Sequence, residues 1–256
     1  MIKQKMKNVL KSITNLFFPR YSCYSCGREM ESPEDCLCER CKKNIVKLEG
    51  NLCLKCGEPI YEPSRYCDEC RTNNEDIKFN SARAVYAYDE ITARIVANLK
   101  YKSKKFVVGF MAREMAKLVG EIGDCPDVII PAPISKKRLK SRGYNQSELL
   151  AREINKNLND VAEIKTDLVV RVKEVKPQVG LTREDRKHNL DGVFKLSKLS
   201  SLEGKVVYII DDVFTTGTTS NEIARKLKRL KPKAIYVLTF AKNLYVEHKN
   251  ASQMTK

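Results

Sequence analysis

Residues 206–220 read VVYIIDDVFTTGTTS, an apolar run that ends in two adjacent acids and opens into four threonines around one glycine. An apolar run of this length bounded by turn residues predicts a buried strand, with Asp211 and Asp212 at its C-terminal end. In the loop that follows, successive backbone N–H groups make a nest for an anion, and the positive end of the next helix reinforces it. Gly217 permits a backbone conformation that a side chain would obstruct, and the hydroxyls of Thr215, Thr216, Thr218 and Thr219 supply further donors to phosphate oxygens. Two carboxylates repel a phosphate but suit hydroxyl groups close by. The combination points to a sugar phosphate, its phosphate on the loop and its diol on the acids. An ordinary helix cap needs only one such residue, and the G-K-[ST] ending of a Walker A loop is missing.

A second constellation lies near the N-terminus. Eight of the ten cysteines form four C-x-x-C pairs: Cys23 and Cys26, Cys38 and Cys41, Cys53 and Cys56, Cys67 and Cys70. The first pair recurs thirty residues on as the third, and each of these two is followed directly by glycine, Gly27 or Gly57. Four thiolates at tetrahedral geometry suit zinc, and two facing knuckles supply them. A redox role needs a lone C-x-x-C opening a helix within a βαβ unit, which is not the context here. The natural assignment gives two structural Zn²⁺, one on Cys23, Cys26, Cys38 and Cys41 and one on Cys53, Cys56, Cys67 and Cys70; spacing alone leaves interleaved pairing open. Each site carries a formal −2, with Arg28, Lys42 and Lys55 near enough in sequence to offset it. Cys36 and Cys125 lie outside the repeat and are expected to be ordinary thiols.

The elements that must position these groups follow from the pattern of apolar residues. After the connector NNEDIKFNSA, strands are predicted at 82–89, 127–133, 207–211 and 234–241, and helices at 91–101, 106–122, 147–158 and 219–230. Alternation of this kind argues for an α/β domain with a central parallel sheet flanked by helices. Ligands in such sheets bind where strands end and helices begin. The expected organisation is a short amphipathic segment over 1–20, a double zinc-ribbon module over 21–72, the α/β domain over 80–242 and a basic tail over 243–256.

The net charge of +16 favours an anionic partner. It is uneven, about neutral over residues 1–80 (net +2) and strongly basic over 81–256 (net +14). That distribution weakens a nucleic-acid role for the ribbons themselves. KKRLKSR (136–142) puts five cations directly after a predicted strand edge, and KYKSKK (100–105) puts four in six residues, for which a solvated basic face is the plain alternative. No apolar stretch is long enough to span a bilayer, and Pro19 and Arg20 close the N-terminal apolar run without a cleavage site. A cytoplasmic protein is expected, with its cysteines reduced.

With these residues in view, IIDDVFTTGTT (209–219) resembles the phosphoribosyl-pyrophosphate signature of type I phosphoribosyltransferases. The chain as a whole is similar to the ComF family of competence-associated, amidophosphoribosyltransferase-like proteins. The four knuckles, LKYKSKK (99–105), PAPISKKRLKSRGYNQSELLA (131–151), PQVGLTREDRKHNLDGVF (177–194) and the signature follow in the family's order. The resemblance implies a type I phosphoribosyltransferase fold behind a double zinc ribbon, binding phosphoribosyl pyrophosphate with Mg²⁺. On it, Asp211 and Asp212 would take the ribose hydroxyls, Thr215 to Thr219 the 5′-phosphate, and the loop from Pro131 to Ser135 the pyrophosphate. Arg138, Arg142, Tyr144, Asn145 and Gln146 would stand beside pyrophosphate or acceptor, and residues 171–194 would form a lid carrying the candidate catalytic cations Arg183, Arg186 and Lys187.

No residue marks the acceptor. The two histidines, His188 and His248, lie in polar basic contexts that suit solvent better than proton transfer. Two functions therefore stand side by side: an enzyme moving phosphoribose to an unidentified nucleophile, or a ligand-sensing module of DNA uptake that holds single-stranded DNA beside competence-machinery proteins. The basic domain favours the second, while the lack of an aromatic-rich stripe for stacking bases counts against it.

Overall fold

The computed structural model describes residues 21–31, 36–61, 63–100, 106–173, 192–197 and 201–245. Outside the described residues lie the segment 1–20, Lys102, Lys104 and Lys105, the lid cations Arg183, Arg186 and Lys187 with His188, and the tail beyond Tyr245 with His248.

The N-terminal half-module runs β1 (Tyr21–Ser22), β2 (Glu29–Met30) and α1 (Glu39–Asn44), and its repeat ends in α2 (Asp68–Thr72). Then come β3 (Ser81–Ala87), α3 (Glu90–Leu99), α4 (Val107–Ile122), β4 (Val128–Pro131), α5 (Lys136–Arg142), α6 (Gln146–Asn157) and β5 (Glu163–Ile164). There follow β6 (Val169–Arg171), β7 (Phe194–Leu196), β8 (Val206–Phe214), α7 (Thr218–Leu227) and β9 (Ala234–Lys242). Among the described residues the main sheet has five strands in the order β3-β9-β8-β4-β5, every neighbour parallel. The expected α/β architecture is therefore observed.

Strands buried on both faces read as continuous apolar runs rather than alternating ones, and VVYII in β8 is such a run. Val206, Tyr208 and Ile210 join the core with α3, α4 and α6, whereas Val207 and Ile209 join the core with α7. Helix α3 starts at a reciprocal cap, where Asp89 accepts the Thr92 N–H at 2.9 Å and Thr92 Oγ1 accepts the Asp89 N–H at 2.8 Å. Helix α4 lays Val107, Met111, Met115, Leu118 and Val119 on the sheet and stops at Gly123, whose φ of +86° is left-handed.

Three features depart from the sequence expectation. KKRLKSR is a helix, α5, which a single leucine among polar residues could not announce. Strand β8 runs on to Phe214, so Asp211 and Asp212 sit within the ladder and Asp212 is only 8% exposed. Strands β6 and β7 pair antiparallel with Arg171 opposite Phe194, which pins together the two ends of the segment 171–194.

The cysteine module packs on both faces of the sheet at its β3 side. Cys23, Leu37 and Cys41 enter the core on the α4 side, and Cys53, Cys56, Cys67 and Cys70 enter the one on the α7 side. Between them, residues 46–48 run antiparallel along the outer side of β3: the Leu48 N–H donates to Val85 O and the Ala87 N–H to Val46 O, each at 2.9 Å. Farther down the same strand, the Ala82 N–H donates to Lys55 O at 2.7 Å. Among the described residues, no helix is long and apolar enough to cross a membrane.

Candidate functional site

After β4 the chain passes through α6 on one face to β5, and after β8 it passes through α7 on the other face to β9. Adjacent strands whose connections leave in opposite directions open a crevice at their C-terminal ends. The crevice lies between β4 and β8. It brings the Pro131–Ser135 loop next to the acids, with Pro131 paired to Ile210 and the Ala132 N–H donating to Ile210 O at 2.9 Å.

Asp211 is held from two directions. Its Oδ1 accepts from Ser147 Oγ at the start of α6 and from the Asp212 N–H, both at 2.9 Å. Burial, and then the charge of Asp212, push the Asp211 carboxyl up to about 7, well above the usual carboxylate range. Asp212 points its Oδ2 at Lys100 Nζ, 3.5 Å away, and that buried oxygen has no hydrogen-bond partner among the described residues. A buried acceptor left open in this way suits an incoming hydroxyl.

The loop beyond the acids turns as its glycine predicts. Gly217 has φ +73°, and a Cβ placed on it would lie 2.5 Å from Phe214 Cζ. Thr216 Oγ1 and Thr218 Oγ1 share a hydrogen bond of 2.7 Å, and Thr218 and Thr219 form the first turn of α7. Thr215 is exposed, with Thr216, Thr218 and Thr219 partly so. Gly217→Ala is expected to lower stability by at least about 1–2 kcal/mol from the left-handed backbone alone, read from a denaturant midpoint. An unchanged midpoint would show that the loop relaxes at no cost.

The remaining predicted residues divide into those that face the crevice and those that build it. Ser135 caps α5 by accepting the Arg138 N–H at 3.3 Å, which leaves the exposed basic helix bearing Arg138 standing beside the Pro131–Ser135 loop. Arg142 donates to Gln146 Oε1 at 2.9 Å, and Gln146 is buried. Asn145 caps α6 through the Ser147 N–H and donates to Ala132 O at 3.1 Å. Tyr144 donates to Leu99 O at 2.6 Å. These amides and the phenol tie α6 and the end of α3 to the loop after β4. Sequence reasoning missed Ser147 as a partner of Asp211, and it weighed Lys100 only within a basic run.

The four knuckles gather into two clusters with the sequential pairing, Cys23, Cys26, Cys38 and Cys41 in one and Cys53, Cys56, Cys67 and Cys70 in the other. Within each, the sulfurs lie within 4.8 Å of one another, with Cys26 and Cys38 at 3.7 Å and Cys56 and Cys67 at 3.6 Å. A tetrahedron with Zn–S bonds of about 2.3 Å has an edge of about 3.8 Å, so the donors fit zinc. Burial and then its sister sulfurs push the Cys41 thiol up to about 12, a proton that a bound cation would displace. The knuckles repeat in detail: the Cys23 and Cys53 N–H groups donate to Arg28 O and Glu58 O, and Gly27 and Gly57 take φ of +74° and +70°. The second cluster is wholly buried, whereas Cys26 of the first is exposed. Arg83, which the sequence did not single out, donates to the carbonyls of Cys53 and Leu54 at 3.3 Å and brings a cation to the second cluster. Cys36 accepts from Arg113 at 3.6 Å and stays outside both clusters.

Residues 112–255 match the phosphoribosyl transferase domain family, and residues 13–71 match the double zinc ribbon domain. The chain is similar to competence protein F of Haemophilus influenzae, 28% identical over 88% of this chain and 98% of that one. It is also similar to competence protein ComFC of Bacillus subtilis, 26% identical over 81% of this chain and 84% of that one. Among solved structures, a purine phosphoribosyltransferase from Pyrococcus horikoshii is 20% identical, covering 53% of this chain and 72% of that one with a TM-score of 0.34.

Proposed function

The chain belongs to the phosphoribosyl transferase domain family, in the ComF form that carries a double zinc ribbon ahead of that domain, and from this premise we propose that it binds phosphoribosyl pyrophosphate with Mg²⁺ in the crevice between β4 and β8. The observation that carries the proposal is the meeting, at one strand-end crevice, of two adjacent acids, Asp211 half-buried and Asp212 buried, a glycine-centred threonine loop and a loop leading into a basic helix. Asp211 and Asp212 take the ribose hydroxyls, the open Oδ2 of Asp212 accepting one of them. The N–H groups and hydroxyls of Thr215 to Thr219 take the 5′-phosphate. The Pro131–Ser135 loop and the cations of α5 face the pyrophosphate.

In the reaction proposed, the bond from ribose C1 to pyrophosphate breaks and a bond from C1 to a nucleophile forms. Positive charge grows on the sugar while negative charge grows on the departing pyrophosphate. Arg138 and Arg142 offset the latter through fixed charge, and Mg²⁺ supplies Lewis-acid neutralisation of the same group when bound. The acids orient the sugar by two hydroxyls, which turns the approach of the nucleophile into a positioned encounter. Similarity to the competence proteins named above supports an acceptor within DNA handling, and the fit of the two cysteine clusters to closed tetrahedral sites supports a structural role for two zinc ions.

Purified protein titrated calorimetrically with phosphoribosyl pyrophosphate is expected to show saturable binding that requires Mg²⁺. Pyrophosphate release across nucleobases and single-stranded DNA then separates the two functions. Release with one acceptor class identifies a transferase, whereas binding without release identifies a ligand-sensing module. Absence of binding overturns the proposal.

A further inference from the structure

The loop Thr215–Thr219 rests on a side chain. Phe214, the last residue of β8 and only 4% exposed, lies under Gly217 so closely that no Cβ fits between them. The position of its ring therefore sets the height of the loop backbone. Phe79 meets the ring edge-on, with centroids 6.1 Å apart. Over the ring lies the ammonium of Lys242, 4.7 Å from the centroid and 5.1 Å from the ring of Tyr245. Lys242 ends β9 directly opposite Phe214, and its side chain is essentially without solvent contact.

A cation in such a place needs a counter-charge, and it comes from the second ribbon. Glu58 Oε2 stands 3.0 Å from Lys242 Nζ, and its side chain is fully buried. Its other oxygen accepts the Tyr245 N–H at 2.9 Å. The place of Glu58 is fixed by the knuckle itself, since it follows Gly57 and its carbonyl accepts the Cys53 N–H at 2.7 Å. Neither Glu58 Oε2 nor Lys242 Nζ has a well-aligned hydrogen bond among the described residues, so the contact between these two atoms is one of charge.

Stability is a weak reason for a buried ion pair, because well-packed apolar side chains of similar size serve as well or better. An apolar pair cannot hold a cation against an aromatic face. We infer that Glu58 and Lys242 are positioning residues for the phosphate loop: the ribbon fixes Glu58, Glu58 fixes Lys242, and Lys242 seats Phe214 beneath Gly217. The inference rests on the proposal that Thr215–Thr219 holds a phosphate. It makes the second ribbon part of the ligand site without any ribbon residue touching ligand.

The test uses the full chain with Glu58→Met and Lys242→Met together, which removes both charges and keeps the volume. Three measurements are made: melting temperature, amide hydrogen exchange across Thr215–Thr219, and calorimetric titration with phosphoribosyl pyrophosphate and Mg²⁺. A melting temperature close to wild type, loop exchange at least about tenfold faster and affinity at least about tenfold weaker are expected. Wild-type exchange and affinity in the folded double variant would make the pair mere packing and overturn the inference. Lys242→Arg keeps the cation and is expected to keep slow exchange in the loop; a folded Lys242→Arg variant whose loop exchanges at least about tenfold faster overturns the inference even where the double variant does not fold. Faster loop exchange in a series whose wild type binds no phosphoribosyl pyrophosphate would uphold the positioning and reject the proposed ligand.

Discussion

Replacing Asp211 with Asn is expected to stabilise the ligand-free protein at pH 8 and to weaken binding of phosphoribosyl pyrophosphate by more than about tenfold. The two effects share one cause. Burial and the neighbouring Asp212 raise the Asp211 carboxyl to about 7, so the folded chain holds a proton that the unfolded chain releases near pH 4. With more protons bound in the native state, stability falls as pH rises from about 4 to about 7 and stays reduced above that. An Asn at 211 imitates the protonated acid. Its Oδ1 can keep the bonds from Ser147 Oγ and the Asp212 N–H, and its amide can donate towards Asp212 where a second carboxylate would repel it. The penalty at pH 8 is thereby removed, and each kcal/mol recovered raises the melting temperature by about 2–4 °C in a chain of this size. The same change removes charge from the acceptor proposed for a ribose hydroxyl, where a charge-assisted bond contributes about 1.5–3 kcal/mol. Melting curves at pH 4 and pH 8, with a titration at pH 8, decide the matter. An Asn variant less stable at both pH values would mean that Asp211 is an ordinary ionised acid held by its two donors.

The double change Cys53→Ser and Cys56→Ser is expected to reduce the metal content from two ions per chain to one and to abolish cooperative folding. Structural zinc contributes about 10–16 kcal/mol in small zinc modules at neutral pH, as much as the whole stability of a typical domain, about 5–15 kcal/mol. The loss falls heavily here because the four sulfurs of this cluster are core atoms, packed with Phe79, Ala82, Val207 and Ile209. The equivalent change of Cys23 and Cys26 also removes one ion but strikes a cluster whose Cys26 is already exposed, and a folded sheet should survive it. Chelator added to wild type should likewise empty the first cluster before the second. Elemental analysis and thermal unfolding measure both. Two ions remaining in the Cys53, Cys56 variant, or none in the wild type, would contradict the assignment of these cysteines.

Much of this site was legible because its parts are local. Asp211, Asp212 and Gly217 stand within seven residues of one another, and a C-x-x-C knuckle carries its geometry in its own spacing. Strands β4, β8 and β9 and helices α3, α4, α6 and α7 announced themselves by apolar runs or helical periodicity. What stayed hidden depends on the meeting of distant segments. Ser147 is one polar residue at a helix start until α6 folds against β8, and Lys100 is one lysine in a basic run until α3 ends beside Asp212. Glu58 and Lys242 each look like solvated surface charges, and only the packing of the ribbon on β9 buries them together. The two acids misled in one respect, because they interrupt the apolar run without interrupting the ladder, which the backbone pairing with β9 carries on to Phe214. The hairpin of β6 and β7 is too short for any periodicity to reveal.

The strip of backbone that residues 46–48 lay along β3 has a bearing on how the chain survives its own synthesis. An uncovered outer strand offers a row of free donors and acceptors to any other chain, and is a ready template for aggregation. Parallel sheets are exposed to this for longer than most, since β3 must wait for β9, made more than a hundred residues later, before its inner side is paired. Translation delivers the N-terminal part first, so the covering strip, braced by its cysteine knuckles, emerges from the ribosome before the edge it will protect. The strip thus stands ready to cover one side of β3 while the other side awaits its partner.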